Sequence, residues 1–337
     1  MNGQDVERKM TSILRILADQ TGPTGSRFIS RELQARGLDL TERGVRYHLK
    51  IMDERGLTES CGKEGRVITR TGLQELQDAL VQDKIGLVIG KIEALSYRTS
   101  FNSDDGTGQV ILNTTLLPKD ALWDAVVAMK DVFAAQLCVS DLVGIAYEGE
   151  SLGEVVVPKG RVAFGTVCSI TINSVLLKAG IPVDSRFGGI LQVHCSRPTR
   201  FTDLITYAGS TLDPLEVFIR SKMTSVREAA TKGEGKILAS FREVPAVCRS
   251  SIEEVVGKLR RVGIHGLITL GRPGQPVLQV PVTANRVGMV VVGGLNPMAA
   301  VEEAGIATDN QAMSAIVDFR QLCNYWKLYD QLRLQAG

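Results

Sequence analysis

The apolar positions near the start of the chain fall at helical spacing. Val6, Met10, Ile13, Leu14 and Leu17 recur every three or four residues, which predicts an amphipathic helix over residues 5–19. Gly22, Pro23 and Gly25 break it. Ile29 and Leu33 turn a second helix, 27–36, inward, and Gly37 stops it. Thr41 is placed to cap a third helix that runs to Gly56. At about 100° per residue, Val45, Leu49 and Met52 of this helix share one narrow arc, while Arg43, Arg46, Tyr47 and Lys50 cluster opposite. One face packs and the other presents cations and an aromatic ring, the division that a DNA-reading helix needs. A solvated basic face would give the same wheel.

The next stretch, "LTESCGKEGRVITRTG" (57–72), reads as strand, glycine-containing turn and strand, with Lys63 and Arg66 at or beside the tip. A hairpin directly after a basic third helix is the wing of a winged helix. Thr71 followed by Gln74 is a capping box that opens a further helix. The whole order favours DNA over the solvated face. The expected DNA-contacting set is Arg27, Thr41, Arg43, Arg46, Tyr47, Lys50, Lys63 and Arg66.

After a junction at 84–98, strand and helix patterns alternate, and the pattern repeats. "GQVILNTTLLP" (108–118) is similar to "GKILASFREVP" (235–245), and each precedes a helical stretch, Ala121 to Phe133 and Ile252 to Val262. "RVAFGTVCSITINSVLLKAGIPV" (161–183) aligns without gaps to "RVGMVVVGGLNPMAAVEEAGIAT" (286–308), with Arg161/Arg286, Val162/Val287, Val167/Val292, Ala179/Ala304, Gly180/Gly305 and Ile181/Ile306 identical. The expected plan is therefore a multidomain α+β and α/β chain. A winged helix-turn-helix over 1–83 precedes a duplicated α/β effector domain over 84–337, whose halves cover about 100–195 and 230–320.

Each repeat contains a strand that turns into a helix through small residues: Cys168-Ser169-Ile170-Thr171 in one, Gly293-Gly294-Leu295-Asn296 in the other. Related by a pseudo-two-fold, the two turns would face each other across a cleft. Helix N-termini offer unpaired N–H groups and a positive dipole end, and small residues let backbone approach a ligand. The expected site for a small anion is Thr166, Cys168, Ser169, Thr171, Gly293, Gly294, Leu295 and Asn296, with Thr166 and Thr171 as hydroxyl donors. A branched side chain at Gly294 should then block the ligand. The same residues would also serve if they only made the turns sterically possible.

Composition narrows this picture. Hydrophobic residues are 44%, charged residues 23% and the net charge is +2 over 337 residues, so any DNA contact is local rather than global. No signal-peptide core opens the chain and no apolar run reaches the ~20 residues of a membrane span, which leads us to expect a cytoplasmic protein without a membrane partner. The six cysteines form no C-x-x-C pair. Three histidines, His48, His194 and His265, are too scattered to suggest a metal site, and no metal or cofactor is expected. No nucleotide-binding or hydrolase motif occurs, so the chain does not read as an enzyme. An enzyme fused to a DNA-binding head, or a regulator sensing a different metabolite, stays open.

With the winged helix, "GTVCSITINSVLLKAGIPV", "YAGSTLDPLEVFI" (207–219) and "GGLNPMAAVEEAGI" together, the chain resembles the NrpR-type nitrogen-responsive repressors of archaea along almost its whole length. The resemblance implies a homodimeric repressor that binds operator DNA of nitrogen-assimilation genes and is released by 2-oxoglutarate. Some members of that family carry two effector domains. This chain carries one, so a second effector-domain protein is a possible partner. A stripe of Leu322, Trp326 and Tyr329 near the C-terminus either serves the dimer or packs within its own subunit.

Overall fold

A computed structural model describes residues 3–20, 22–35, 38–83 and 87–336. The chain forms two compact units, Met1–Ile85 and Gly86–Gly337.

The first unit contains α1 (Gly3–Ala18), α2 (Ser26–Ala35), α3 (Glu42–Glu54), β1 (Thr58–Ser60), β2 (Arg66–Ile68) and α4 (Arg70–Asp83). The predicted stop at Gly37 lies outside the described residues. Met10, Ile13, Leu14 and Leu17 of α1 meet Ile29 and Leu33 of α2 and Val45, Leu49 and Met52 of α3 in one buried core. Thr41 caps α3, its hydroxyl accepting from the Gly44 N–H at 3.3 Å. β1 and β2 pair antiparallel as the wing. β2 also bridges to the segment between α1 and α2, with N–H to carbonyl bonds in both directions between Thr24 and Arg66 at 2.9 and 3.1 Å. The fourth helix starts earlier than expected. Thr69, not Thr71, caps it, accepting from the Gly72 N–H at 3.0 Å. Thr69 is held in place because its own N–H donates to the Leu57 carbonyl at 3.1 Å.

The second unit opens with α5 (Leu87–Arg98), a helix where the sequence suggested only a junction. The first repeat is β3 (Gln109–Pro118), α6 (Leu122–Ala134), β4 (Leu142–Ala146), the small hairpin β5 (Ser151–Leu152) and β6 (Val155–Val156), β7 (Arg161–Val167), α7 (Ile170–Lys178) and β8 (Asp184–His194). β9 (Arg197–Thr206), α8 (Pro214–Arg220) and α9 (Val226–Lys232) connect it to the second. That second repeat is β10 (Gly235–Pro245), α10 (Arg249–Arg261), β11 (Leu267–Leu270), β12 (Arg286–Val292), α11 (Asn296–Glu303) and β13 (Asp309–Asp318). β14 (Cys323–Asn324) and α12 (Tyr325–Ala336) close the chain.

The repeats do not coincide with the sheets. One antiparallel sheet has the order β13-β3-β7-β4-β14 and the other β11-β12-β10-β8-β9. The last strand of each repeat thus crosses over: β8 pairs with β10, and β13 pairs with β3. Halves drawn at 100–195 and 230–320 describe the duplication in sequence but not these layers. α6 packs against α11, and α10 against α7. The first two turns of α7 and α11 are fully enclosed, and apolar side chains of both repeats share one core. Leu322, Trp326 and Tyr329 lie half-buried against this core, Tyr329 meeting Trp123 at 5.3 Å between ring centroids, so the C-terminal stripe packs on its own chain.

The wing depends on one glycine. Gly65 has φ +123°, and a Cβ there would stand 2.4 Å from the Thr24 carbonyl group. Gly65→Ala therefore strains the backbone and separates β2 from its bridge. We expect the first unit to lose about 1–3 kcal/mol, measured as a lower denaturation midpoint for that unit, whereas Gly25→Ala, with nothing within 4 Å, should be near neutral.

Candidate functional site

Two surfaces follow from this fold. On the first unit, Arg27, Arg43, Arg46, Tyr47, Lys50 and Lys63 are all exposed, and Tyr47 is 60% exposed although it is aromatic. Arg43 and Lys50 make no ion pair among the described residues. Arg46 is engaged: its guanidinium pairs with Glu42 one turn back and donates to the Ser26 hydroxyl at 3.2 Å. An exposed pair of this kind is worth little, so a phosphate or base edge can displace it. Arg66 is a correction. It is half-buried, with Nε donating to Asp53 at 2.7 Å, and Asp53 also accepts from the Thr58 hydroxyl at 2.6 Å. Arg66 stands beside the wing tip as the first residue of β2 and ties the wing to the end of α3, which leaves it less free for DNA than Lys63. Thr41 is likewise occupied as a cap.

On the second unit the twin turns do come together. A Cβ on Gly294 would lie 2.6 Å from the Val167 carbonyl oxygen and 3.4 Å from the Cys168 Cα. Cys168 and Gly293 occupy equivalent places, each donating its N–H at 2.8 Å to a carbonyl of the first strand of its repeat, Ile111 and Leu238 respectively. Thr171 and Asn296 are equivalent as well, and each turns back onto the first strand of its repeat. Thr171 Oγ1 accepts from the Ile111 N–H at 3.1 Å and donates to the Ile111 carbonyl at 3.4 Å. The Asn296 amide brackets Leu238 in the same manner, at 2.8 and 3.1 Å. These side chains latch each helix start to a strand, so their polar atoms are engaged there rather than free to donate into the seam. The Thr166 hydroxyl is buried without a hydrogen-bond partner, but Thr166 does not line the seam between the turns.

The seam encloses a cavity of about 10 Å³, lined on its two turn sides by Cys168, Ser169, Ile170, Gly294 and Leu295. That is room for about one water. The remaining walls are Ile92 of α5, Asn113, Tyr207, Asp213 and Leu215, and the Ala312–Met313 bulge of β13. Met313 holds φ +53°, a strained conformation of the kind that gathers at functional sites. Gly294→Val would not simply fill this space. It would push against the opposite backbone and wedge the turns apart.

Behind Ser169 stands the least expected residue, Arg242, which is fully buried. Its guanidinium donates to the Ser169 hydroxyl at 2.7 Å, the Ser169 carbonyl at 3.1 Å, the Ser240 hydroxyl at 3.3 Å and the Asn173 side chain. Its Nε has no partner. No carboxylate among the described residues pairs with it, and burial pulls its pKa down to about 10. Burial also raises the Tyr207 hydroxyl and pushes the Cys168 thiol up to about 12. Asp213, which caps α8 through the Leu215 N–H at 2.9 Å, is raised to about 6, chiefly by burial and then by Glu216. Nothing in the spacing of single residues announces Arg242. The motif "YAGSTLDPLEVFI" was the available signal for Tyr207 and Asp213, and both lie in the wall.

A winged helix followed by a duplicated α/β unit with a polar seam is the plan of a two-part transcription regulator. Residues 85–324 match the family described as NrpR regulatory domains NRD1 and 2, and residues 11–76 match the ribonuclease R winged-helix domain. The chain is 39% identical over 322 residues to the global nitrogen regulator NrpRI of Methanosarcina mazei, covering 96% of this chain and 99% of that one. It is 31% identical over 325 residues to the global nitrogen regulator NrpR of Methanococcus maripaludis, covering 96% of this chain but only 57% of that longer protein. The solved structure of a nitrogen repressor-like protein from Methanococcus jannaschii superposes with a TM-score of 0.59 at 29% identity, over 72% of this chain and 98% of that one. The chain belongs to the NrpR family, and both of these relatives are named as nitrogen regulators.

The raised Asp213 carboxyl makes stability pH-dependent. Because its charged form is disfavoured in the fold, its stabilising contribution is full below the ordinary value of 3.8 and is lost as pH rises through about 6. Asn keeps the cap without the charge. Asp213→Asn should therefore raise the stability of the second unit at pH 7.5 by about 1–3 kcal/mol and change it little at pH 4. Thermal melts at the two pH values check the sign.

Proposed function

We propose that this protein is a homodimeric, DNA-binding repressor of nitrogen-assimilation genes whose second unit binds 2-oxoglutarate at the twin-turn seam and lets go of operator DNA in response. The observation that carries the reading is Arg242, a buried guanidinium with neutral oxygen partners only and one unpartnered Nε, directly behind the wall of the seam. A carboxylate is the group such a site lacks. 2-Oxoglutarate presents two carboxylates and a keto oxygen, all acceptors. The relatives' names as nitrogen regulators support the choice of this metabolite.

The closed seam dictates how a ligand acts. It binds only when the walls part, so it favours an open arrangement by its differential affinity for it. Ile92 of α5 is one of those walls, and Lys91 of the same helix donates to the Ala312 carbonyl at 3.1 Å. α5 is also the segment through which the chain arrives from the winged helix. Displacing α5 is thus a direct route from ligand to DNA-binding heads. On DNA, two heads of a dimer would read half-sites one helical turn, or a multiple of it, apart. Arg43, Arg46, Tyr47 and Lys50 enter the major groove and Lys63 approaches the backbone from the wing.

Fluorescence anisotropy with DNA from upstream of nitrogen-assimilation genes, with and without 2-oxoglutarate, tests the reading. We expect tight binding that 2-oxoglutarate weakens and that glutarate, without the keto oxygen, weakens less. Arg46→Ala should cost about 1–3 kcal/mol if Arg46 reads a base, towards the lower end because Glu42 competes for it. The Arg43/Arg46/Lys50 triple alanine variant should lose specific binding and flatten the salt dependence. An unchanged operator affinity in the triple variant, or indifference of the wild type to 2-oxoglutarate, contradicts the proposal.

A further inference from the structure

The two repeats meet a second time, far from the seam in sequence. The loop after α6 carries Cys138 and Asp141, and the loop after α10 carries His265. An antiparallel bridge between Ser140 and Ile264 clamps the loops together. The Ser140 hydroxyl donates to the Gly263 carbonyl at 2.7 Å, and the His265 N–H donates to the Val139 carbonyl at 2.9 Å. Asp141 is fixed from another side, its carbonyl accepting from the Tyr325 N–H at 2.8 Å. Gly266 allows the close approach, since a Cβ there would already stand 3.2 Å from Val139.

This clamp gathers three metal-ligand atoms. Cys138 Sγ lies 3.8 Å from Asp141 Oδ1 and 3.9 Å from His265 Nε2, and His265 Nε2 lies 3.6 Å from Asp141 Oδ1. For zinc bonds of about 2.0–2.3 Å, donors on adjacent corners of a tetrahedron are about 3.3 Å apart for a nitrogen–oxygen pair and about 3.5–3.6 Å apart when one donor is sulfur. The observed triangle is larger by a few tenths of an ångström on each side. The thiol and the carboxylate both face the same ring nitrogen. A catalytic relay would place them on opposite nitrogens of the imidazole; convergence on one nitrogen is the arrangement around a shared centre. Cys138 is buried, while His265 lines an open cavity of about 470 Å³ together with Gln136, Arg260 and Gly266.

We propose that Cys138, Asp141 and His265 form a binding site for a zinc-class divalent cation that pins the two repeats of the regulatory unit to each other. A mixed thiolate, imidazole and carboxylate set suits zinc or cobalt(II) and is poor for magnesium or calcium. Binding releases the thiol proton to solvent and leaves two anionic ligands on a dication, so the site is neutral. Another trio of potential ligands, His194, Cys195 and Glu234, consists of three exposed residues. It lacks the enclosure of the first and serves as an internal control.

The test uses the full chain, stripped of metal and dialysed against zinc chloride, with metal content, thermal melts and the cobalt(II) absorption spectrum as readouts. The expected result is one equivalent of zinc per chain, a zinc-dependent rise in Tm, and a thiolate-to-cobalt charge-transfer band. Cys138→Ser and His265→Ala should each weaken zinc at least tenfold and abolish the Tm rise; Cys195→Ser should leave both unchanged. Asp141→Asn, the mildest change, keeps the test valid if the other variants fold poorly, and should weaken zinc while retaining the cobalt–thiolate band. Wild-type zinc affinity in Cys138→Ser, its loss in Cys195→Ser, or no zinc bound by the wild-type chain would each overturn the proposal.

Discussion

The exchange of last strands between the repeats is the constraint on which the second unit rests. Because β8 pairs with β10 and β13 with β3, neither repeat completes a sheet without the other. The crossing forces the two strand-to-helix turns into contact, where the absence of a side chain on Gly294 lets one turn rest on the backbone of the other. Thr171 and Asn296 then fix the angle at which each helix leaves its turn by satisfying both backbone groups of one strand residue. Buried backbone groups left unpaired cost about 1–3 kcal/mol each, so these latches set the geometry of the seam firmly. Binding chemistry is left to the groups around them.

Arg242 is the most consequential of those groups. A buried guanidinium carries a large desolvation cost, and here it is met by a serine hydroxyl and carbonyl, a second serine and an asparagine, with no carboxylate. Its hydrogen bonds to neutral oxygens satisfy the guanidinium N–H groups but do not neutralise its charge. The charge makes sense where an anion arrives. Asp213, which also lines the cavity, works in the other sense, opposing a dicarboxylate when ionised, and its raised pKa reduces that opposition as pH falls towards 6.

The sequence was most informative where a signal repeats within one element. The apolar and basic arcs of α3 are local to a single helix, so the packing face and the exposed cations could both be read. The duplication was legible because two long segments match in order. Pairing across the molecule leaves no such trace. Strand exchange is invisible to a pattern that would look the same if each repeat kept its own last strand. Arg66 read as a wing cation because its partner Asp53 belongs to a different element. Thr71 satisfied the capping motif, but Thr69 won because the bond from its N–H to Leu57 fixes it at the helix start. Arg242 lies in a mixed strand, "GKILASFREVP", whose pattern does not show which charged side chains turn inward, and its partners Ser169 and Asn173 come from the other repeat. His265 looked isolated for the same reason.

The claim most exposed to refutation is that the twin-turn seam takes a dicarboxylate through Arg242. Isothermal titration of 2-oxoglutarate into the full-length wild-type chain and into Arg242→Met measures it directly. Met removes the buried charge and also leaves the Ser169 hydroxyl and Asn173 Oδ1 without that donor, so the variant should melt lower than wild type, and the titration is read at a temperature where circular dichroism shows it folded. The account predicts one site per chain in the wild type and a loss of at least tenfold in affinity in a folded Arg242→Met. Equal affinity in the two proteins would contradict it and move the ligand away from the seam.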